Sequence, residues 1–252
     1  MKQIFYTANY RPDSRLALLL IHGAGGTHLH WPAELRTLSD ATVYALDLPG
    51  HSHSPGPGCD TVEAYADVVS DVVEEIMQRS PVEHIALVGH SMGGAIALTL
   101  GLRNPAWLAG LVLVGTGARL RVADEFLTGL ATDSAHTVDR IAALCWGPTV
   151  APARVTCFAQ MMRTIDPTVV HGDFVACNQF DVRSYLAQIT VPTLIISADQ
   201  DQMTPPRYGR FLADEIPAAE FALVANAGHM MALEHPLYVS EKIQTFVKKI
   251  DG

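Results

Sequence analysis

Ser91 lies in the run Gly89-His90-Ser91-Met92-Gly93-Gly94, the segment of this sequence best suited to nucleophilic chemistry. Gly-x-Ser-x-Gly spacing permits a sharp turn in which a side chain at either glycine would collide with a neighbouring chain. Such a turn before a helix holds the hydroxyl where free N–H groups and the helix dipole favour a developing anion. A serine hydroxyl is a weak nucleophile, so it needs a base, and the base needs a carboxylate to orient it. Of the 11 histidines, His229 is distinguished by its place in Asn226-Ala227-Gly228-His229-Met230-Met231, just after an apolar run. His22 reads as a turn-packing residue, and His90 as pointing away from the serine side. His51 and His53 share a loop with Asp47 and read as solvated or turn residues. For the carboxylate, Asp199 and Asp201 compete within Ala198-Asp199-Gln200-Asp201-Gln202-Met203-Thr204-Pro205, with Asp124 a more distant third.

These residues must be carried by regular elements, and the apolar pattern supplies them. Short apolar runs at 16–21, 42–46, 84–88, 111–114, 193–196 and 220–224 end at Gly, Pro, Asp or Asn. Each is apolar enough to be covered on both faces, which predicts strands of a parallel sheet. Amphipathic or small-residue stretches at 61–79, 92–103 and 237–250 predict the covering helices. Residues 118–189 break the alternation: helix-like pieces at 124–130, 137–145 and 154–163 are punctuated by Pro148, Pro152 and Pro167, without a clear strand. The expectation is an α/β core over residues 1–117 and 190–252, with a helical cap over 118–189. In such a sheet, ligands bind beyond the carboxyl ends of the strands, which is where Ser91, the two acids and His229 all fall.

Composition narrows the class. Hydrophobic residues make up 49% and charged residues 17%, enough to bury a large core. A net charge of −9 with no Lys/Arg run argues against a nucleic-acid partner. Cys59, Cys145, Cys157 and Cys177 have no CxxC spacing, so neither a metal pattern nor a disulfide framework is expected. The apolar runs are too short to span a bilayer, and the start of the sequence lacks a secretion signal's apolar core. A cytoplasmic protein without membrane insertion is the expectation. No flavin, nicotinamide or thiamine fingerprint appears, so no cofactor is expected, and composition leaves the oligomeric state open.

The sequence resembles the α/β-hydrolase family along nearly its whole length, most closely the serine esterase and lipase branch with a small helical cap. His22-Gly23-Ala24-Gly25-Gly26 is similar to the family's His-Gly oxyanion loop. Asp47-Leu48-Pro49-Gly50-His51-Ser52-His53-Ser54 is similar to its Asp-x-x-Gly-x-Gly-x-Ser turn, with Ser52 in place of a glycine. Asp201, four residues before Pro205, takes the acid's place in Gly-x-x-Asp-x-x-x-Pro, with Ala198 in the glycine's place. Gly228-His229 with Glu234-His235-Pro236 is similar to the histidine loop.

The resemblance implies a mostly parallel sheet, reduced from eight strands to seven because only one short strand, near 3–7, fits before the run at Leu16. It implies Ser91 as nucleophile, His229 as base, Asp201 as orienting acid, and the N–H groups of Ala24 and Met92 as oxyanion donors. The implied reaction is hydrolysis of a small-molecule ester with a small or medium apolar acyl group, through an acyl-enzyme. Lactonase, thioesterase and carbon–carbon hydrolase activities use the same residues, and small-molecule receptors share the fold. The imidazole base must be neutral, so activity would rise with pH through about 6–7. Trp31, Phe180, Met203 and Met230 are the expected substrate contacts, since large apolar and adaptable side chains suit an acyl group.

Overall fold

The computed structural model describes residues 4–39 and 41–251. Seven strands form one sheet: β1 (Tyr6–Asn9), β2 (Leu16–Ile21), β3 (Thr42–Leu46), β4 (His84–His90), β5 (Leu108–Val114), β6 (Thr193–Ala198) and β7 (Ala219–Val224). Their spatial order is β1-β3-β2-β4-β5-β6-β7, with β1 antiparallel to β3 and all other pairs parallel. The expected strand near 3–7 thus begins later, at Tyr6; its first expected residue, Gln3, lies outside the described residues. The chain moves one way from β2 and the other way from β4, so the crevice between their carboxyl ends is a topological switch point.

Both faces of the sheet are apolar because both are covered. One carries α2 (Val62–Arg79) and α3 (Met92–Arg103) on Ala17, Leu19, Ile85 and Leu87. The other carries α1 (Ala33–Arg36) and α10 (Pro236–Ile250) on Leu18, Leu20, Val88 and Val112. Helix α3 is buried through its first ten residues, which explains a sequence apolar on every side.

The chain leaves the sheet after β5 and returns at β6. Between them stand α4 (Asp124–Thr132), α5 (Ser134–Leu144), α6 (Pro152–Met162) and α7 (Pro167–Gln179). These helices share an apolar cluster of their own, including Leu130, Ile141, Phe158, Met162 and Phe174, which also takes in Met230. Helix α7 starts where Asp166 caps the N–H of Thr168 and Pro167 occupies the first helical turn. Two further helices flank the last strands, α8 (Pro206–Glu215) after β6 and the short α9 (Met231–Glu234) after β7. Among the described residues no helix is long and apolar enough to cross a membrane.

Candidate active site

Ser91 stands between β4 and α3 with φ 53° and ψ −115°, a backbone conformation that side-chain-bearing residues rarely adopt. The strain is held by crowding and hydrogen bonds. A Cβ on Gly89 would run into the Gly93 carbonyl, and one on Gly93 into the Ile21 carbonyl. Ser91 N–H donates to the Val114 carbonyl at 2.9 Å, and Thr116 Oγ1 donates to the Ser91 carbonyl at 2.8 Å. The Ser91 hydroxyl does not cap α3, so it is not consumed in stabilising the helix it precedes.

Ser91 and His229 line one cleft of about 300 Å³. His229 Nδ1 donates to Asp201 Oδ2 at 2.9 Å, so the acid engages that ring nitrogen and not Nε2. Asp201 accepts further hydrogen bonds from the N–H groups of Met203 and Thr204 and from Thr204 Oγ1, each at 2.8 Å. Burial alone would raise this carboxyl's pKa, but the charge and hydrogen bond of His229, with the Thr204 donors, hold it below the ordinary value. Of the competing acids, Asp201 is the one brought to the histidine. Asp199 is exposed after β6 with its N–H donating to the Val224 carbonyl, and Asp124 is exposed at the start of α4.

The loop after β2 lies against the turn after β4 because Ile21 and Gly89 are register partners. Ala24 lines the cleft, and Met92 N–H belongs to the first turn of α3. His22 is fully buried: its Nδ1 donates to the Gly23 carbonyl at 2.8 Å, while its Nε2 accepts from Leu48 N–H at 2.9 Å. Burial, reinforced by His51, pushes its pKa well down, so it is a neutral ring serving as a turn-packing residue.

Two other histidines differ from the sequence expectation. His90 does not point away from the site: it lines the cleft, its ring 4.6 Å from that of His229, and its Nε2 donates to the His229 carbonyl at 3.0 Å. Burial first, then proximity to His229, push its pKa down to about 3, so a neutral His90 supports the His229 backbone. His51 holds the turn half of its expectation, with Nδ1 donating to the Pro49 carbonyl at 3.0 Å, but it is not solvated. It is completely buried, with Nε2 donating to Asp173 Oδ2 at 2.8 Å. Burial opposes its protonation, but the Asp173 charge and hydrogen bond outweigh it and raise the pKa.

Asp173, on α7, is a buried carboxylate behind the cleft loop to which sequence reasoning gave no role. It is fully buried and also accepts from Gly25 N–H at 2.8 Å and from Tyr65 Oη at 2.5 Å. One carboxylate therefore ties the helical insertion to the loop after β2, to the turn after β3 and to α2. Glu234 plays a comparable part for the histidine loop, accepting from Gly228 N–H at 2.9 Å and Gly147 N–H at 3.0 Å.

Met203 and Met230 line the cleft, as does Cys177, whose thiol pKa is pushed up by burial. Trp31 and Phe180, expected beside the substrate, lie elsewhere. Trp31 is buried on the α10 side of the sheet, where the edge of its ring meets that of His90. Phe180 packs in the cluster on the opposite face, with Ala176 and Tyr65. Both satisfy the demand of a large aromatic for burial in the core rather than at the cleft wall. One ring nitrogen each of His28 and His53 and the Asp47 carboxylate lie within 4.8 Å of one another. Asp47 already accepts from the N–H groups of His28 and His53, so a hydrogen-bonded turn accounts for the grouping.

A strand–turn–helix serine and a histidine loop at the switch point of a doubly covered sheet define a class. Residues 17–236 match the model of the alpha/beta hydrolase fold family, and the chain belongs to that family. It is 28% identical over 255 residues to a pimeloyl-[acyl-carrier protein] methyl ester esterase of Neisseria meningitidis, covering 95% of this chain and 96% of that protein. A protein of the same description from Sodalis glossinidius is 30% identical over 238 residues, covering 87% and 89%. A solved thermophilic esterase is 30% identical, with a TM-score of 0.84 and coverage of 98% of this chain and 99% of that one. The chain is thus an α/β hydrolase with esterase-like relatives.

Proposed function

We propose that this protein is a serine carboxylesterase acting on small or medium apolar acyl esters through an acyl-enzyme. The observation that carries the proposal is the strained Ser91, its hydroxyl uncommitted to the helix cap, in the same cleft as a His229 whose Nδ1 is bound by Asp201. His229 takes the Ser91 proton as the oxygen attacks the ester carbonyl, and Asp201 holds the productive tautomer and the imidazolium that forms. The N–H groups of Ala24 and Met92 stabilise the tetrahedral oxyanion, a contribution of about 3 kcal/mol per donor. The protonated His229 gives its proton to the departing alcohol, then activates water to release the acid. Residues 118–189 act as a cap, supplying Phe174, Met162 and Phe158 to an apolar wall suited to an acyl chain. The names carried by the esterase relatives support the same bond type.

A panel of acyl esters of graded chain length, with thioesters and lactones, run on wild type and Ser91→Ala, tests the proposal. Ester turnover that disappears in Ser91→Ala, with fluorophosphonate labelling of Ser91, is expected. Undiminished hydrolysis by Ser91→Ala would overturn it.

A further inference from the structure

Beside the catalytic cleft lies a second groove, of about 410 Å³, lined by Ala118, Arg119, Arg121, Arg183, Arg207, Tyr208 and Phe211. Four of these seven residues are arginines and none is acidic, in a chain whose net charge is −9. The surrounding negative charge compensates them only in part. Asp181 binds Arg183 through both oxygens, at 2.8 and 2.7 Å, and reaches Arg119 at 3.7 Å. Among the described residues no ion pair engages Arg121 or Arg207; the Arg207 guanidinium lies 5.1 Å from the centroid of the Tyr208 ring.

The backbone beneath the arginines is fixed. Arg119 and Asp181 form an isolated antiparallel bridge, Val182 N–H donates to the Ala118 carbonyl at 2.8 Å, and Val122 N–H donates to Asn178 Oδ1 at 3.1 Å. Like charges held together on such a frame repel one another unless an anion joins them, and planar guanidinium forks match the oxygens of a carboxylate or phosphate. Arg121, Arg207 and Tyr208 line both the groove and the cleft that holds Ser91. The groove therefore adjoins the cleft, and an ester held at Ser91 with a long enough acyl chain would reach it.

We infer that this groove binds an oxyanion carried at the far end of the substrate, and that the preferred esters bear a distal carboxylate or phosphate. The inference rests on the esterase reading above and specifies the substrate class of that site.

The test compares methyl esters of straight-chain acids that end in a methyl group, a carboxylate, a phosphate or a trimethylammonium, at matched chain lengths. The readout is the ratio of kcat/KM for each charged ester to that for the neutral one. At low salt the anionic ratio is expected at roughly five- to tenfold, equivalent to about 1–1.4 kcal/mol. The carboxylate and phosphate arms identify which oxyanion fits better. The ratio should fall toward one in Arg121→Gln/Arg207→Gln and in high salt, survive in part in Arg121→Lys/Arg207→Lys, and persist in Arg79→Gln, a surface control outside the groove. A wild-type ratio near one, or a ratio untouched by the double glutamine substitution, would overturn the inference while leaving the esterase reading intact. Hydrolysis of the neutral ester by Ser91→Ala would instead strike the esterase reading itself.

Discussion

Replacing Asp173 probes how the insertion is joined to the reacting centre. Its carboxylate is completely buried and accepts three hydrogen bonds, from Gly25 N–H, His51 Nε2 and Tyr65 Oη. Asp173→Asn keeps one carbonyl oxygen for Gly25 and His51 and turns an amide toward Tyr65, whose hydroxyl can rotate to accept. What disappears is the charge: bonds to a charged acceptor are worth about 1.5–3 kcal/mol against about 1 kcal/mol for neutral ones. A net loss of about 2 kcal/mol in unfolding free energy is expected. Asp173→Ala strands all three buried donors and should cost about 3–5 kcal/mol. Activity should change separately from stability. Gly25 follows Ala24, whose N–H is a proposed oxyanion donor, and Gly25 itself adopts φ +60°. Losing a donor outright costs about 10²–10³ in kcat, so a loop loosened by the asparagine should lower kcat by about tenfold. Since the donor matters most in the transition state, KM should move little. Urea unfolding gives the stability change, and initial rates well below the unfolding temperature separate kcat from KM. Unchanged kcat in a destabilised Asp173→Asn would refute the positioning role and leave Asp173 a packing residue alone.

Stability should fall between pH 6.5 and 5. Burial lowers the folded-state pKa of His22, of His30 (a buried residue at the cleft wall) to about 4 and of His90 to about 3, so each stabilises fully above the unfolded value near 6.5 and less as pH falls toward its folded value. His51, with its raised pKa, works oppositely: its contribution is full below 6.5 and lost as pH rises through the folded value, but one such group does not offset three. Urea titrations at several pH values should show the decline, with a shallower slope in His30→Gln; a flat profile in wild type would refute it. Glu234→Ala leaves the N–H groups of Gly147 and Gly228 without their carboxylate and should reduce kcat severalfold by loosening the His229 loop, measured by initial rates with a fully folded variant. Gly93→Ala drives a Cβ into the Ile21 carbonyl and should abolish soluble expression or cost several kcal/mol in urea unfolding.

The residues that sequence reading proposes for the chemistry share one property: their places are set locally. Ser91 follows β4 directly, and Asp201 and His229 lie in the loops just after β6 and β7, so strand ends announce their neighbourhoods. The Pro205 spacing of the family resemblance separates Asp201 from Asp199, and a parallel sheet gathers strand ends into one crevice. The Asp173 cluster has no local signal. Its partners lie 148, 122 and 108 residues away, and a buried aspartate looks in sequence like any polar residue in a helix. Nor was α7 itself apparent: Val169, Val170 and Gly172 are poor helix formers, and its apolar residues do not keep to one face because α7 packs against the core as well as the other inserted helices. The Asp166–Pro167 start was the available sign.

Trp31 and Phe180 expose a related limit. Their size demanded burial and they are buried, but which side of the sheet a loop aromatic enters is decided by the path of the chain. The same limit applies to the arginines. Arg119, Arg121, Arg183 and Arg207 are scattered in sequence, yet the bridge between Arg119 and Asp181 and the start of α8 gather them beside the cleft. The proposed nucleophile, acid and base therefore stand at or near strand ends, where sequence can be read directly. The residues proposed to bind substrate lie in the insertion and its seams, where only the folded chain brings distant residues together.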